Sequence, residues 1–184
     1  HRLCKDTLNN ILHVGDYLYR KIIDNSSFQY DFLHPQSIPC HMQFNDTFVH
    51  FQLKSTLSGS MSPDFSGNWP LLSLEMAFAT LCNDGSSKLM IFICASTAVG
   101  IVFNHSKYYF FDPHARDYNG LPSESGKCVL SVLDNFTEVC VYLRTFATSL
   151  TSLSPQEIQY DLHHIVLNKP WRVFCKTHTA TNIM

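Results

Sequence analysis

Three apolar runs stand close together between Lys88 and Asp112, and short polar turns separate them: KLMIFICA, AVGIVF and KYYFFD. Short runs rich in Val, Ile and aromatic residues are typical of β-strands. Three such runs in succession predict an antiparallel β-meander, and a meander needs further elements to cover its apolar face. The sequence therefore predicts a sheet at the centre of the fold.

The segments before the meander predict a helix, a pair of strands and a second helix. Apolar residues fall at helical spacing from Leu8 to Ile23, after Asp6 or Thr7 as a cap. Gly15 and Asp16 interrupt this apolar face, which predicts either two helical pieces or one bent helix. Residues 41–57 alternate as strands do, residues 59–67 form a Gly/Ser/Pro loop, and residues 71–81 predict a short helix.

The segments after the meander predict a strand, a helix and a final strand. CVLSVL at 128–133 has a strand pattern, and Asn135 with Glu138 forms a capping box at the start of a helix that extends to Leu150. A single turn at Ser154 precedes alternating apolar residues at 158–166, which predict the last strand. The overall pattern is α+β, with a central antiparallel sheet and flanking helices.

Composition limits both the size and the partners of the domain. The 184 residues, 45% hydrophobic and 15% charged, suit a single globular domain over 1–184. The net charge is −2 and the basic residues are scattered, which argues against nucleic acid as a partner. No apolar run is long enough to span a membrane. Seven cysteines without a CxxC pair indicate reduced thiols and an intracellular location, cytoplasmic or nuclear.

Metal ligands are not predicted from the spacing of His and Cys. His34, Cys40 and His41 form one group that we considered, and Cys175 with His178 forms another. Neither group shows the paired spacing of a zinc site, so these residues are interpreted as loop residues. We expect no metal and no cofactor.

The stretch FFDPHARD leaves two interpretations open. In an extended strand Asp112 and His114 point to the same face, which is the geometry of a carboxylate that orients a catalytic imidazole. Asp-Pro-His is also an ordinary way to leave a strand, with Pro113 fixing φ and Asp112 bonding to the backbone. Arg116 and Trp69 are interpreted either as the border of a peptide groove or as surface packing.

Four segments, in order, resemble one family, the herpesvirus large-tegument-protein deubiquitinases and their cellular relatives. They are LNNILHVGDYLYRKI (8–22), LLSLEMAFATL (71–81), YYFFDPHARDYNG (108–120) and YDLHHIVL (160–167). The resemblance implies a papain-like cysteine protease fold and cleavage of ubiquitin, or a ubiquitin-like modifier, from lysine. It implies that His114 is the catalytic base and that Asp112 orients it.

The nucleophile is where the sequence departs from the family pattern. In the family the catalytic Cys heads a helix some tens of residues before the Gly-Asp-x-Leu-Tyr segment, together with a Gln of the oxyanion hole. Cys4 lies too close to Gly15 to fit that pattern, although it is a candidate nucleophile. We therefore expect the nucleophile segment to lie upstream of His1, and we expect the 184 residues alone to show no hydrolysis. The alternatives are an inactive ubiquitin-binding or scaffolding domain of the same fold, and a protease for an unrelated peptide.

Overall fold

The computed structural model describes residues 5–24, 35–44, 47–67, 69–117 and 120–167. The helices are α1 (Lys5–Asp24), α2 (Leu74–Cys82) and α3 (Phe136–Leu150), with a 3-10 turn at Pro35–Ser37. The strands are β1 (His41–Phe44), β2 (Thr47–Ser60), β3 (Leu71–Ser73), β4 (Lys88–Cys94), β5 (Thr97–Asn104), β6 (Lys107–Arg116), β7 (Lys127–Leu133) and β8 (Gln159–Leu167).

One sheet contains all of these strands. Its order is β1-β2-β8-β4-β5-β6-β7, and β3 pairs with β2 off this path. Each pairing along the path is antiparallel, whereas β3 runs parallel to β2. The predicted meander is confirmed as β4-β5-β6. The predicted last strand also joins the sheet, between β2 and β4.

Helices α2 and α3 contribute their apolar residues to the same buried cluster as the sheet. Phe78 of α2 contacts Tyr108 of β6 edge to face, and Phe110 of β6 does the same with Phe146 of α3. Burial of large aromatic side chains is among the strongest stabilising contributions that a core of this size can have. The α+β prediction is therefore confirmed, and the first half of β6 packs on both helices.

Capping residues set where α2 and α3 begin. Asn135 accepts a hydrogen bond from the Glu138 backbone N–H at 3.0 Å, and its own side-chain amide donates to the Glu138 carboxylate at 2.7 Å. The predicted capping box is thus confirmed. Ser73 caps α2 in the same way, with its hydroxyl accepting from the Met76 N–H at 3.2 Å.

Two local predictions differ from the structure. Of the two forms predicted for the first helix, the two separate pieces are wrong: α1 is continuous through Gly15, where an exposed glycine costs only about 1 kcal/mol in helix stability relative to alanine. The helix predicted over 71–81 begins at Leu74, because residues Leu71–Ser73 pair with Ser58–Ser60 of β2 instead. None of the helices in the described ranges has the length and apolar character needed to cross a membrane.

Candidate active site

A bulge near the end of β6 carries the Asp-Pro-His segment. Asp112 is paired with Val129 of β7, and the next pair is Arg116 with Lys127. The chain therefore advances by four residues along β6 but by only two along β7, which makes this stretch of β6 a bulge. Pro113, which lacks a backbone N–H, stands in the unpaired stretch, where no ladder hydrogen bond is required of it.

The bulge brings the carboxylate of Asp112 to the imidazole of His114. Nδ1 of His114 lies 2.6 Å from Oδ1 of Asp112, and the backbone N–H of His114 donates to the same oxygen at 2.9 Å. A carboxylate only accepts hydrogen bonds, so Nδ1 carries a hydrogen and Nε2 of the neutral ring is left as the acceptor. Asp112 thus bonds both to the ring and to the backbone of His114, as the two interpretations of the sequence required, while β6 continues to Arg116 and does not end at this segment.

The two side chains differ sharply in exposure. Asp112 is 1% exposed, whereas the side chain of His114 is 48% exposed. No residue in the described part of the chain forms a hydrogen bond with Nε2. The ring is thus fixed from the buried side and accessible from the other, as a proton acceptor for an incoming group requires.

Arg116 lies beneath this pair rather than at the border of a groove. Its Nε donates to Oδ2 of Asp112 at 2.5 Å, and the Arg116 side chain is 4% exposed. The guanidinium carbon also stands 5.0 Å from the centre of the Phe146 ring, a cation–π contact. Both sequence interpretations of Arg116, groove border and surface packing, are wrong. Asp112 and Arg116 would lie about 13 Å apart in a regular strand, so their contact depends on the bulge between them, which the sequence alone did not reveal.

Gly126, directly before β7, lies against the backbone of Arg116 at the end of β6. A Cβ at Gly126 would lie 2.4 to 2.6 Å from the backbone N, C and O of Arg116. Such contacts are too short for any other residue unless the backbone moves. The close approach of Gly126 therefore helps to define the position of Arg116, and through it the position of Asp112.

No cysteine in the described part of the chain forms a hydrogen bond with His114. Burial raises the pKa of the Cys82 and Cys94 thiols to about 11 and that of Cys140 to about 12, so these thiols stay protonated at neutral pH. Cys128 is adjacent to Val129, the partner of Asp112, and therefore lies on the opposite face of the sheet. Cys4, the predicted candidate nucleophile, lies outside the described residues.

A group of potential metal ligands lies at the other edge of the sheet. Cys40 and His41 have their potential ligand atoms within 4.8 Å of each other and of those of His50. The prediction that these are loop residues is wrong for His41, which begins β1 and pairs with His50, and that prediction did not include His50. His34, Cys175 and His178, the other residues weighed in the sequence, lie outside the described ranges.

The family model described as the herpesvirus tegument protein N-terminal conserved region matches residues 1–170. The chain therefore belongs to this herpesvirus tegument protein family, and the resemblance read from the four segments is confirmed.

The fold is similar to that of a solved viral protease. This is the ubiquitin-specific protease encoded by murine cytomegalovirus tegument protein M48, in complex with a ubiquitin-based suicide substrate. The match has a TM-score of 0.68 and 17% identity, and it covers 92% of this chain and 70% of the protease chain. No protein with curated annotation matches the sequence.

Proposed function

We propose that this domain is a papain-like deubiquitinating cysteine protease in which His114 is the general base and Asp112 orients it. The observation that carries the proposal is the buried carboxylate of Asp112, which holds Nδ1 of the half-exposed His114 at 2.6 Å. Membership of the tegument protein family and the fold shared with a ubiquitin-specific protease support ubiquitin as the modifier that is recognised.

In this mechanism a cysteine thiol transfers its proton to Nε2 of His114, and the thiolate attacks the carbonyl carbon at the ubiquitin C-terminus. The carbon–nitrogen bond to the lysine breaks, and the imidazolium returns its proton to the leaving amine. Water then gives a proton to Nε2 and attacks the thioester, which releases the ubiquitin carboxylate and restores the thiol. Asp112 keeps the ring in one tautomer and stabilises its charged form in both steps.

The nucleophile is proposed to come from outside the described residues. Three described cysteines are excluded as the nucleophile by their high thiol pKa: Cys82, Cys94 and Cys140. Cys128 is excluded because it lies on the opposite face of the sheet from Asp112. Cys40 is excluded by distance, because it precedes β1 and four strands separate β1 from β6. A segment upstream of His1 fits the family pattern, and Cys4 is the second candidate. The free thiols of the described cysteines suit the reducing cytoplasm or nucleus, where we place the activity.

A ubiquitin probe with a C-terminal electrophile tests the proposal in a chain that extends upstream of His1. His114→Ala is expected to abolish covalent labelling, since loss of a triad member lowers turnover by as much as roughly 10⁶-fold in a comparable serine protease. His13→Ala, which removes an exposed histidine of α1, is the matched control and should label as the wild type does. Far-UV circular dichroism verifies that both variants are folded. Undiminished labelling of folded His114→Ala would overturn the assignment.

A parallel assay decides whether Cys4 is the nucleophile. The 184-residue chain and its Cys4→Ala variant are compared on a fluorogenic substrate at the ubiquitin C-terminus. We expect no turnover from either. Turnover that disappears in Cys4→Ala would show that Cys4 supplies the thiolate and that the upstream assignment is wrong.

One observation favours a second function, ubiquitin binding without catalysis. Within the described part of the chain, β7 pairs with β6 alone, and its other edge carries no paired strand. An extended ubiquitin tail can add to such an edge through main-chain hydrogen bonds. Binding of ubiquitin without probe labelling, even in the chain extended upstream, would favour this function over catalysis.

A further inference from the structure

The hairpin of β1 and β2 brings together three side chains that the sequence keeps apart. Cys40 precedes β1, His41 begins it, and His50 lies in β2. One potential ligand atom from each residue lies within 4.8 Å of the other two. Five strand-to-strand steps of about 4.8 Å separate β1 from β6, so this cluster lies roughly 20 Å or more from His114.

The hairpin register explains why the two imidazoles meet. His41 stands directly opposite His50. The Phe51 N–H donates to the Cys40 carbonyl at 2.9 Å, which makes residues 40 and 51 a hydrogen-bonded pair. His41 and His50 are consequently a non-hydrogen-bonded pair, the kind whose side chains are closest. Their rings stack with centroids 4.3 Å apart and planes inclined by 21°.

Cys40 adds a sulfur ligand to the two rings. Neighbouring residues of a strand point to opposite faces, but Cys40 lies in a bend just before β1. Its Sγ is consequently only 3.2 Å from Nδ1 of His41. Cys40 and His41 are exposed and His50 is partly so, which leaves room for an ion with a further ligand from water.

We propose that Cys40, His41 and His50 form a binding site for zinc or a similar borderline-soft divalent metal. One thiolate and two imidazoles suit Zn²⁺ and exclude the hard ions Mg²⁺ and Ca²⁺, which take oxygen ligands. Binding removes the Cys40 thiol proton to solvent, and both imidazoles coordinate in their neutral form.

The distances require a modest rearrangement. Tetrahedral coordination at Zn–N of about 2.0 Å and Zn–S of about 2.3 Å places ligand atoms roughly 3.3 to 3.6 Å apart. The Cys40–His41 pair is slightly closer than this spacing, at 3.2 Å, and needs to open only by a few tenths of an ångström. The two rings must tilt out of their stack, because imidazole lone pairs lie in the ring plane. Ring rotation about the terminal torsion is soft, and these side chains are not enclosed by the core.

The ion would fasten the edge strand β1 to β2. Strand β1 has four residues and, among the described strands, pairs with β2 alone. A metal shared between its first residue and the opposite residue of β2 stabilises the folded hairpin in proportion to the logarithm of metal concentration over Kd.

Titration with Co²⁺ under a non-thiol reductant tests the site, because a thiolate ligand produces a sulfur-to-cobalt charge-transfer band and tetrahedral geometry produces strong visible bands. The wild-type chain should bind one equivalent at this site, and added Zn²⁺ should displace the cobalt and remove the bands. Cys40→Ser should lose the charge-transfer band. His50→Gln should bind at least about tenfold more weakly, since loss of even an outer-shell partner costs about 10- to 100-fold.

Matched controls separate this site from the other thiols and imidazoles of the chain. Cys128→Ser and His105→Gln should leave the bands unchanged. All four variants should show the wild-type circular dichroism spectrum without metal. A charge-transfer band that persists in Cys40→Ser, or the absence of any such band in the wild type at millimolar Co²⁺, would overturn the proposal and leave the cluster as an aromatic stack beside a thiol.

Discussion

Replacing Arg116 by methionine tests the idea that a buried ion pair supports the candidate active site. Methionine is apolar and unbranched like the stem of arginine, so the variant removes the guanidinium together with its contact with Phe146, and it leaves the carboxylate of Asp112 without a cation. Both charged side chains are almost fully buried, at 4% and 1% exposure. Water therefore cannot replace the lost partner, and the effect should fall on the free energy of unfolding.

The expected cost is about 3 kcal/mol, at the lower end of the 3 to 5 kcal/mol typical of breaking a buried pair. The lower end applies because His114 continues to donate two hydrogen bonds to Asp112. A domain of this size loses roughly 2 to 4 °C in Tm for each kcal/mol, so the Tm should fall by about 6 to 12 °C. The protein should remain folded at 25 °C, since native domains have about 5 to 15 kcal/mol of stability.

Urea unfolding of a double-mutant cycle provides the measurement. Asp112→Asn and Arg116→Met should each destabilise the protein, while the double variant should cost clearly less than the sum, with a coupling energy of about 2 to 3 kcal/mol. Lys107→Met is the matched control, because Lys107 begins the same strand and its ion pair with Asp134 is exposed to solvent. Its midpoint should hardly change. A cost below about 1 kcal/mol for Arg116→Met, or additive single effects, would refute the reasoning.

Two further predictions follow from the packing. Gly126→Ala should destabilise the protein by about 1 to 3 kcal/mol in urea unfolding, because the new Cβ would collide with the Arg116 backbone. The control Gly15→Ala, at an exposed position of α1, should stabilise the protein by about 0.5 to 1 kcal/mol. Equal effects of the two substitutions would contradict the close approach of Gly126 to Arg116. Stability should also fall as the pH rises from 9 towards 12, because burial raises the pKa of Cys140 to about 12 and the unfolded thiol loses its proton first, near 9. Cys140→Ser should make this slope shallower, with Cys82 and Cys94 accounting for part of the remainder, and an unchanged slope would exclude Cys140 as a source.

The sheet and its helices could be predicted from the sequence because local patterns of residues indicate them. The meander follows from apolar runs and polar turns, and the start of α3 follows from the Asn135–Glu138 capping box, whose hydrogen bonds the structure contains. The start of α2 was harder to predict from the sequence. Residues Leu71–Ser73 have helical neighbours in sequence, but they pair with β2, and a tertiary contact of this kind overrides local preference.

The candidate sites could be predicted from the sequence only in part, because they depend on the register between strands. Asp112 and His114 were identified by their spacing, but the bulge that joins them is defined by the pairing of β6 with β7. His50 was missed for a similar reason. It lies nine residues after His41, and only the hairpin register makes the two direct partners. A search for opposite positions across the predicted 41–57 strand pair would have found it.

The burial of Asp112 decides which substitution can probe catalysis. One of its oxygens bonds to His114 and the other bonds to Arg116, so the residue that orients the ring also neutralises a buried cation. Any change at Asp112 therefore alters stability and ring orientation together, and lost activity there would have two explanations. His114 is half exposed, and its ring adds nothing to the core cluster. Removing that ring takes away one hydrogen bond to Asp112 but keeps the backbone N–H bond, the Arg116 pair and the core, which is why labelling of folded His114→Ala is the decisive measurement.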